Sequence, residues 1–258
     1  LLDRAKIPAP TDGKLAADLK AIELSGTAQA GGVSTVTFPT NASAVDGYYN
    51  GMEVYITENT GAGQRRTVSG YVGATRVATV SVAWSVTPDS TSKLEVGALQ
   101  LVLAAGKGAQ YADPATSGKQ EFVRVGKEII RYTAKSTDTL SWTDTTLRAQ
   151  FGSAREDHKA NDSVQLCRAW VSKLVREVAE DLCNESGLAD AYIDLAQFAS
   201  EDTDWLGDKY RITACVSEPE KPSDLYAELL RDANALSWWH PTSQKVKLLV
   251  NTPRAAAT

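Results

Sequence analysis

The amino-acid sequence predicts an α+β chain that is mainly β: two small antiparallel β-modules followed by an α+β domain. Three observations carry this expectation. Short segments rich in Val, Thr, Ser and Tyr alternate apolar with polar residues, the period-2 pattern of half-buried strands. Asp46-Gly47, Asn50-Gly51, Gly61-Ala62-Gly63 and Gly73-Ala74 separate them, residue types suited to positive φ or tight reversal. From Trp170 onward the period lengthens to that of a helix, with Val171, Leu174, Val175, Val178 and Leu182 on one stripe.

Residues 1–25 read as a lead-in, with a linker at Ile7-Pro8-Ala9-Pro10 and one helical stretch over residues 15–22. The missing initiator Met and the linker-like start point to an internal piece of a longer protein. The first β-module spans 26–97, with strands at 34–38, 52–57, 65–71 and 77–82; Trp84 and the tyrosines are its larger core candidates. Gly- and Ser-rich joints near Gly26 and Gly97 suit an inserted module whose flanks pair directly. The second β-module spans 98–168.

The α+β domain covers 169–258. It opens with a helix over 170–184, for which Gly187 is a suitable C-cap. Tyr192, Leu195 and Phe198 continue helically until the polar run Ser200-Glu201-Asp202-Thr203-Asp204 breaks the pattern. A strand follows at 211–217, then a helix from Pro222-Ser223 with Ser223 as N-cap and Leu225, Leu229 and Ala233 on its buried face. Residues 236–239 and 245–250 form a hairpin joined through His240-Pro241.

Composition excludes several function classes. A net charge of -5, with Arg65-Arg66 as the only adjacent basic pair, argues against specific nucleic-acid binding, which needs clustered Lys and Arg. No apolar stretch approaches the roughly 20 residues that span a bilayer. Three widely spaced cysteines, Cys167, Cys183 and Cys215, form neither a disulfide framework nor a zinc pattern; they read as buried thiols of a chain made in a reducing cytoplasm.

No catalytic, cofactor or metal site emerges from the pattern. His158 sits in the polar turn Arg155-Glu156-Asp157-His158-Lys159 and His240 precedes a Pro; both read as turn or capping residues. No Gly-x-Ser-x-Gly elbow is present. Asp202-Thr203-Asp204 fails the EF-hand pattern because Leu206 takes the third ligand position, and it reads as a solvated acidic loop. Gly106-Lys107-Gly108 and Gly118-Lys119-Gln120 lack the remaining Walker residues.

The aromatics are the candidates for an interaction surface. Trp238-Trp239 on a short strand places one ring on each face, one in the core and one against a neighbouring domain or subunit. Tyr48-Tyr49, with Tyr55, offers either core packing or a glycan-stacking groove.

The run Gly126-Lys-Glu-Ile-Ile-Arg-Tyr, then Leu140, Arg148-Ala-Gln-Phe-Gly-Ser153, His158 and Asn161-Asp-Ser-Val164, resembles a pattern in tail-tip and baseplate proteins of long-tailed, siphovirus-like bacteriophages. In that pattern a Gly-x-Glu-Ile-Ile-x-Tyr strand leads to Arg-Gly-x-x-Gly-Thr, then a His and Gly-Asp-x-Val. This chain departs from it at Ala149, Ser153 and Asn161. Residues 26–97 are similar to a β-module recurring in phage structural proteins, and Arg211-Ile-Thr, Pro222-Ser-Asp-Leu and Leu236-Ser-Trp-Trp resemble the α+β part of tail hub proteins.

The resemblance implies a non-enzymatic virion component at the tail tip. It implies a homo-oligomeric ring, a trimer, meeting the tail tube or distal tail protein and the fibres, without cofactors. An alternative expectation is a host-surface module binding a glycan or protein receptor; a tail-associated hydrolase is the third.

Overall fold

The computed structural model describes residues 6–207 and 209–251. The fold is α+β and mainly β, with 37% strand and 20% helix. Two compact units divide the chain: one is Asp12–Val164, the other the described residues up to Thr11 together with those from Gln165.

The first unit begins with β1 (Gly13–Lys14). A seven-stranded antiparallel sheet then follows from β2 (Leu24–Thr27), β3 (Ala30–Gly32), β4 (Thr35–Thr37), β5 (Glu53–Glu58), β6 (Arg65–Val72), β7 (Val77–Val80) and β8 (Lys93–Gly97), in the order β2-β8-β5-β6-β7-β4-β3. Alternation sends Val36, Val54, Ile56, Val68, Ala78, Leu94 and Val96 into one core, where Phe38, Tyr49, Tyr71 and Trp84 join them. Each fully buried side chain of this kind contributes about 1.5–3 kcal/mol. Register shifts at Ile56/Glu58 and Val68/Gly70 mark bulges that increase local twist.

The same unit continues through β9 (Gln100–Val102), the single turn α1 (Pro114–Ser117), β10 (Glu121–Val125), β11 (Glu128–Tyr132), β12 (Ala134–Ser136) and β13 (Thr139–Ser141). β10 and β11 are a hairpin closed by Gly126-Lys127, with Gly126 at φ 57. β12, β13 and β9 make a three-stranded sheet. Phe122, Val123, Val125, Ile130, Tyr132, Leu140 and Trp142 are buried.

The helix expected over 15–22 is absent. Leu15, Ala16 and Leu19 instead donate backbone hydrogen bonds to Asp162, Val102 and His158, so tertiary pairing overrides local propensity and both leucines are buried in extended chain.

β14 (Ser163–Leu174) leads into α2 (Val175–Glu185), α3 (Leu195–Glu201), a π-helical turn at Asp202–Leu206, β15 (Arg211–Val216), α4 (Pro222–Asp232), β16 (Ala235–His240) and β17 (Lys245–Val250). The helix predicted from Trp170 starts only at Val175. Residues 168–174 are held in a strand, bulged between Trp170 and Lys173, by antiparallel pairing with β15, a distant partner that local periodicity cannot show. Helix α2 is capped by Glu177, whose carboxylate accepts the Leu174 amide at 2.7 Å. Helix α4 places Pro222 at its first position after Lys221, so Ser223 lies inside the helix and is not its N-cap. Val175, Val178, Leu182, Phe198, Leu225, Leu229 and Leu248 form the core of this unit.

Candidate functional site

The residues of the tail-protein-like pattern converge on one buried carboxylate. Glu128 opens β11 and is 0% exposed; Arg148 is 2% and His158 3% exposed. Arg148 donates to both oxygens of Glu128, Nε at 2.8 Å and Nη2 at 2.6 Å. The His158 Nε2 lies 2.8 Å from Glu128 Oε2. The backbone amides of Ala149 and Glu156 complete the shell at 3.3 and 3.2 Å.

The same guanidinium donates to the carbonyls of Lys20 and Glu156, and the His158 backbone pairs with Leu19 in both directions. One carboxylate therefore fastens β11, the turn at 145–153, the loop at 154–162 and the lead-in. Burial alone would raise the Glu128 pKa, but the His158 and Arg148 hydrogen bonds and the guanidinium charge outweigh it and hold it at about 2. A carboxylate so saturated with donors is a structural tie, not a proton acceptor for a substrate.

This corrects the expectation for His158, which is a buried partner in a titratable cluster instead of a polar turn residue. In the sequence the three appear as the Glu, Arg and His of the resembled pattern. Nothing in their spacing says that the three meet.

A second tie joins the seven-stranded sheet to the same turn. Buried Glu53 on β5 holds Arg65 Nη1 at 2.5 Å and the Thr145 hydroxyl at 2.8 Å. Arg65 also lies over the Tyr55 ring, 3.7 Å from its centroid, which leaves that ring no free face for a sugar on the cation side.

The predicted surface aromatics separate. Tyr49 is 2% exposed and packs against Phe38 and Tyr71 at 5.2 and 4.8 Å, with its hydroxyl accepting the Ser43 amide, so it belongs to the core. Tyr48 is exposed and donates to Glu23 at 2.5 Å; this bond to a carboxylate, helped by burial, pushes its pKa up to about 12.

Trp238 and Trp239 are 41% and 48% exposed, so neither ring is in the core, contrary to expectation. A two-stranded hairpin has no further strand to cover its tip and outer face. Tyr192 lies 6.5 Å from the Trp239 ring, and Leu236 is exposed on the same strand. Both indoles border an apolar groove of about 470 Å³ with Leu188, Tyr226, Leu230 and Val246.

His240 accepts the Ser243 amide at 3.2 Å and so closes the hairpin turn as expected. Asp202 departs from the solvated loop predicted for it: helix α3 runs directly into the π-helical turn, and Asp202 is buried with the Arg176 guanidinium 3.8 Å away. Among the described residues no group of three or more His, Cys, Asp or Glu side chains is placed to hold a metal ion, and no helix is long and apolar enough to cross a membrane. Comparison with protein-family models, curated proteins and solved structures finds no match for this chain.

Proposed function

We propose that the chain is a structural component of the tail tip or baseplate of a long-tailed bacteriophage, a hub protein working as part of a closed homo-oligomeric ring. One observation carries the reading. The backbone is left-handed at Gly126, Ala149, Gly152 and Asn161, with φ of 57, 55, 74 and 75, the four positions where the resembled pattern has glycine. The Glu, Arg and His of that pattern are the three side chains of the buried tie. Ser153, standing for threonine, uses its hydroxyl as a threonine would, accepting the Ile129 amide and donating to the Gln150 carbonyl.

In this role the β-rich unit is a rigid piece, and the aromatic hairpin of the other unit supplies apolar surface that ring closure covers. The partners are further copies of the chain, a trimer in the first instance, with the tail tube or distal tail protein and the fibres. Any host attachment would run through what the hub carries.

The test is the mass of the purified chain by light scattering, together with its position in intact particles by cryo-electron microscopy. A trimer, placed at the distal end of the tail, is the expected result. A monomer at every accessible concentration, or density elsewhere in the particle, overturns the proposal.

A further inference from the structure

Among the described residues, strand β15 is paired on one side only. β14 covers one edge, and among the described residues no backbone hydrogen bond reaches β15 from the other. Its core-facing side chains Ile212, Ala214 and Val216 pack on the hydrophobic core yet stay only partly buried, while Leu225 and Leu229 of α4 are buried. The place beside β15 is instead a groove of about 590 Å³ running between the strand and α4, floored by Trp170, Val178 and Leu182.

Natural sheets blunt an open edge with Lys, Pro or a covering loop, because a row of free amides and carbonyls recruits another strand. Past Arg211 the sequence Ile212-Thr-Ala-Cys-Val216 carries none of these. The walls of the groove carry acidic groups. Glu228 and Asp232 on α4 are exposed, each carboxylate 3.7 Å from the exposed Arg231, and Glu220 closes one end. The one basic wall residue, Arg211, donates to the Ser172 carbonyl at 2.8 Å.

We propose that this groove is a β-augmentation site, receiving an extended strand of a partner protein whose groove-facing residues include both apolar side chains and Lys or Arg. The backbone of that strand pairs with the free edge of β15. Every second side chain of that strand faces the groove, the apolar ones lying over Ile212, Ala214 and Val216 and the basic ones toward Glu228 and Asp232. The assignment stands on the groove alone, so it can fail while the tail-tip reading survives, and the reverse.

The probe is a fluorescein-labelled peptide (the Lys/Val peptide) with Lys and Val in turn at every second position and Thr between them, long enough to span β15, read by anisotropy against the full chain. Two controls accompany it: a Glu/Val peptide, and the Lys/Val peptide N-methylated at every second amide so that one edge cannot pair. Saturable binding of the Lys/Val peptide alone is expected. The double variant Glu228→Lys with Asp232→Lys, both on the surface, should weaken it roughly tenfold and favour the Glu/Val peptide.

Cys215 contributes to the groove lining and gives an independent readout. Bound Lys/Val peptide should slow its alkylation several-fold, resolved by mass spectrometry from Cys167 and Cys183. Equal binding of the N-methylated peptide, no binding of any peptide, or binding that leaves Cys215 alkylation unchanged overturns the proposal. Protection of Cys215 that rises with protein concentration in the absence of peptide puts a second copy of the chain in the groove and overturns it as well.

Discussion

The seven-stranded sheet and the β16–β17 hairpin treat the same kind of residue in opposite ways. In the sheet, Phe38, Tyr49, Tyr71 and Trp84 are buried and their polar atoms tied, Tyr71 to the Ser43 carbonyl at 2.5 Å and Trp84 to that of Thr35 at 3.2 Å. In the hairpin, Leu236, Trp238 and Trp239 remain exposed, beside Tyr192. Seven strands can enclose a core by alternation alone. Two strands cannot, and an isolated hairpin is marginal without further covering. One region is complete as a single chain, whereas the other keeps large apolar side chains that an assembly would use.

The sharpest way to break this contrast is to attack the tie that makes the first unit self-contained. Glu128→Ala leaves Arg148 buried without its carboxylate, and loss of one partner from a buried pair costs about 3–5 kcal/mol. Chemical denaturation of the unit containing Trp84 and Trp142, followed by their fluorescence, measures it. A loss below about 1 kcal/mol would show that the cluster is not the tie described.

The pH dependence has a definite sign. Glu128 is held at about 2, below its ordinary 4.5. Its stabilisation is therefore complete above the unfolded value and fades as pH falls from 4.5 toward 2. The denaturation midpoint of the native chain should drop across that window, and that of Glu128→Ala should drop less.

Next in size is the contrast between adjacent tyrosines. Tyr49→Ala removes a buried ring touching Phe38 and Tyr71 and should cost about 3–5 kcal/mol, as large aromatic truncations do. Tyr48→Ala removes an exposed ring and its bond to Glu23, and should cost about 1 kcal/mol or less. Equal costs would erase the division between inside and outside that the structure draws here. The same pair bears on receptor binding: a silent glycan array with folded Tyr48→Ala and native chain alike counts against a sugar site at this point.

Smaller still in stability is the effect expected at the hairpin. Trp238→Ser with Trp239→Ser exposes no new cavity and should change the unfolding free energy by no more than about 1 kcal/mol. Its effect should fall on association, shifting the light-scattering mass from oligomer toward monomer. A large stability loss with unchanged mass would assign the two indoles to the fold instead.

Much of the fold was legible because it depends on short-range pattern. The strands β4 to β7 follow period-2 alternation, and β16 and β17 are short strands around an obvious turn. What failed was set by distant partners. Residues 15–22 look helical until the Leu19 backbone meets His158, and Trp170 to Leu174 continue a helical stripe until β15 pairs with them. The buried cluster was illegible for the same reason: Glu128, Arg148 and His158 are separated by turns whose closure no local rule supplies. Trp238 and Trp239 were expected to divide between core and surface because alternation assumes a sheet covered on one face, and the tip of this hairpin is not covered.

The smallest effect tests the backbone at the heart of the resemblance. Ala149 holds φ 55 and ψ 44, where an L-residue with a Cβ is disfavoured by roughly 1–2 kcal/mol. Ala149→Gly removes that strain but loosens the unfolded chain, an opposing effect of about 0.5–1 kcal/mol. The net expectation is a gain of up to about 1 kcal/mol. Asn161, at φ 75, already tolerates the left-handed region, so Asn161→Gly should be close to neutral. Differential scanning calorimetry of the two variants separates the cases. A gain at 149 larger than at 161 means that the resembled glycines answer a backbone requirement that this chain meets with strain at one site and with Asn at the other. Destabilisation by both would mean that the Ala149 methyl and the Asn161 amide make contacts outweighing conformation, and the likeness to the tail-protein turn would then lose its physical basis.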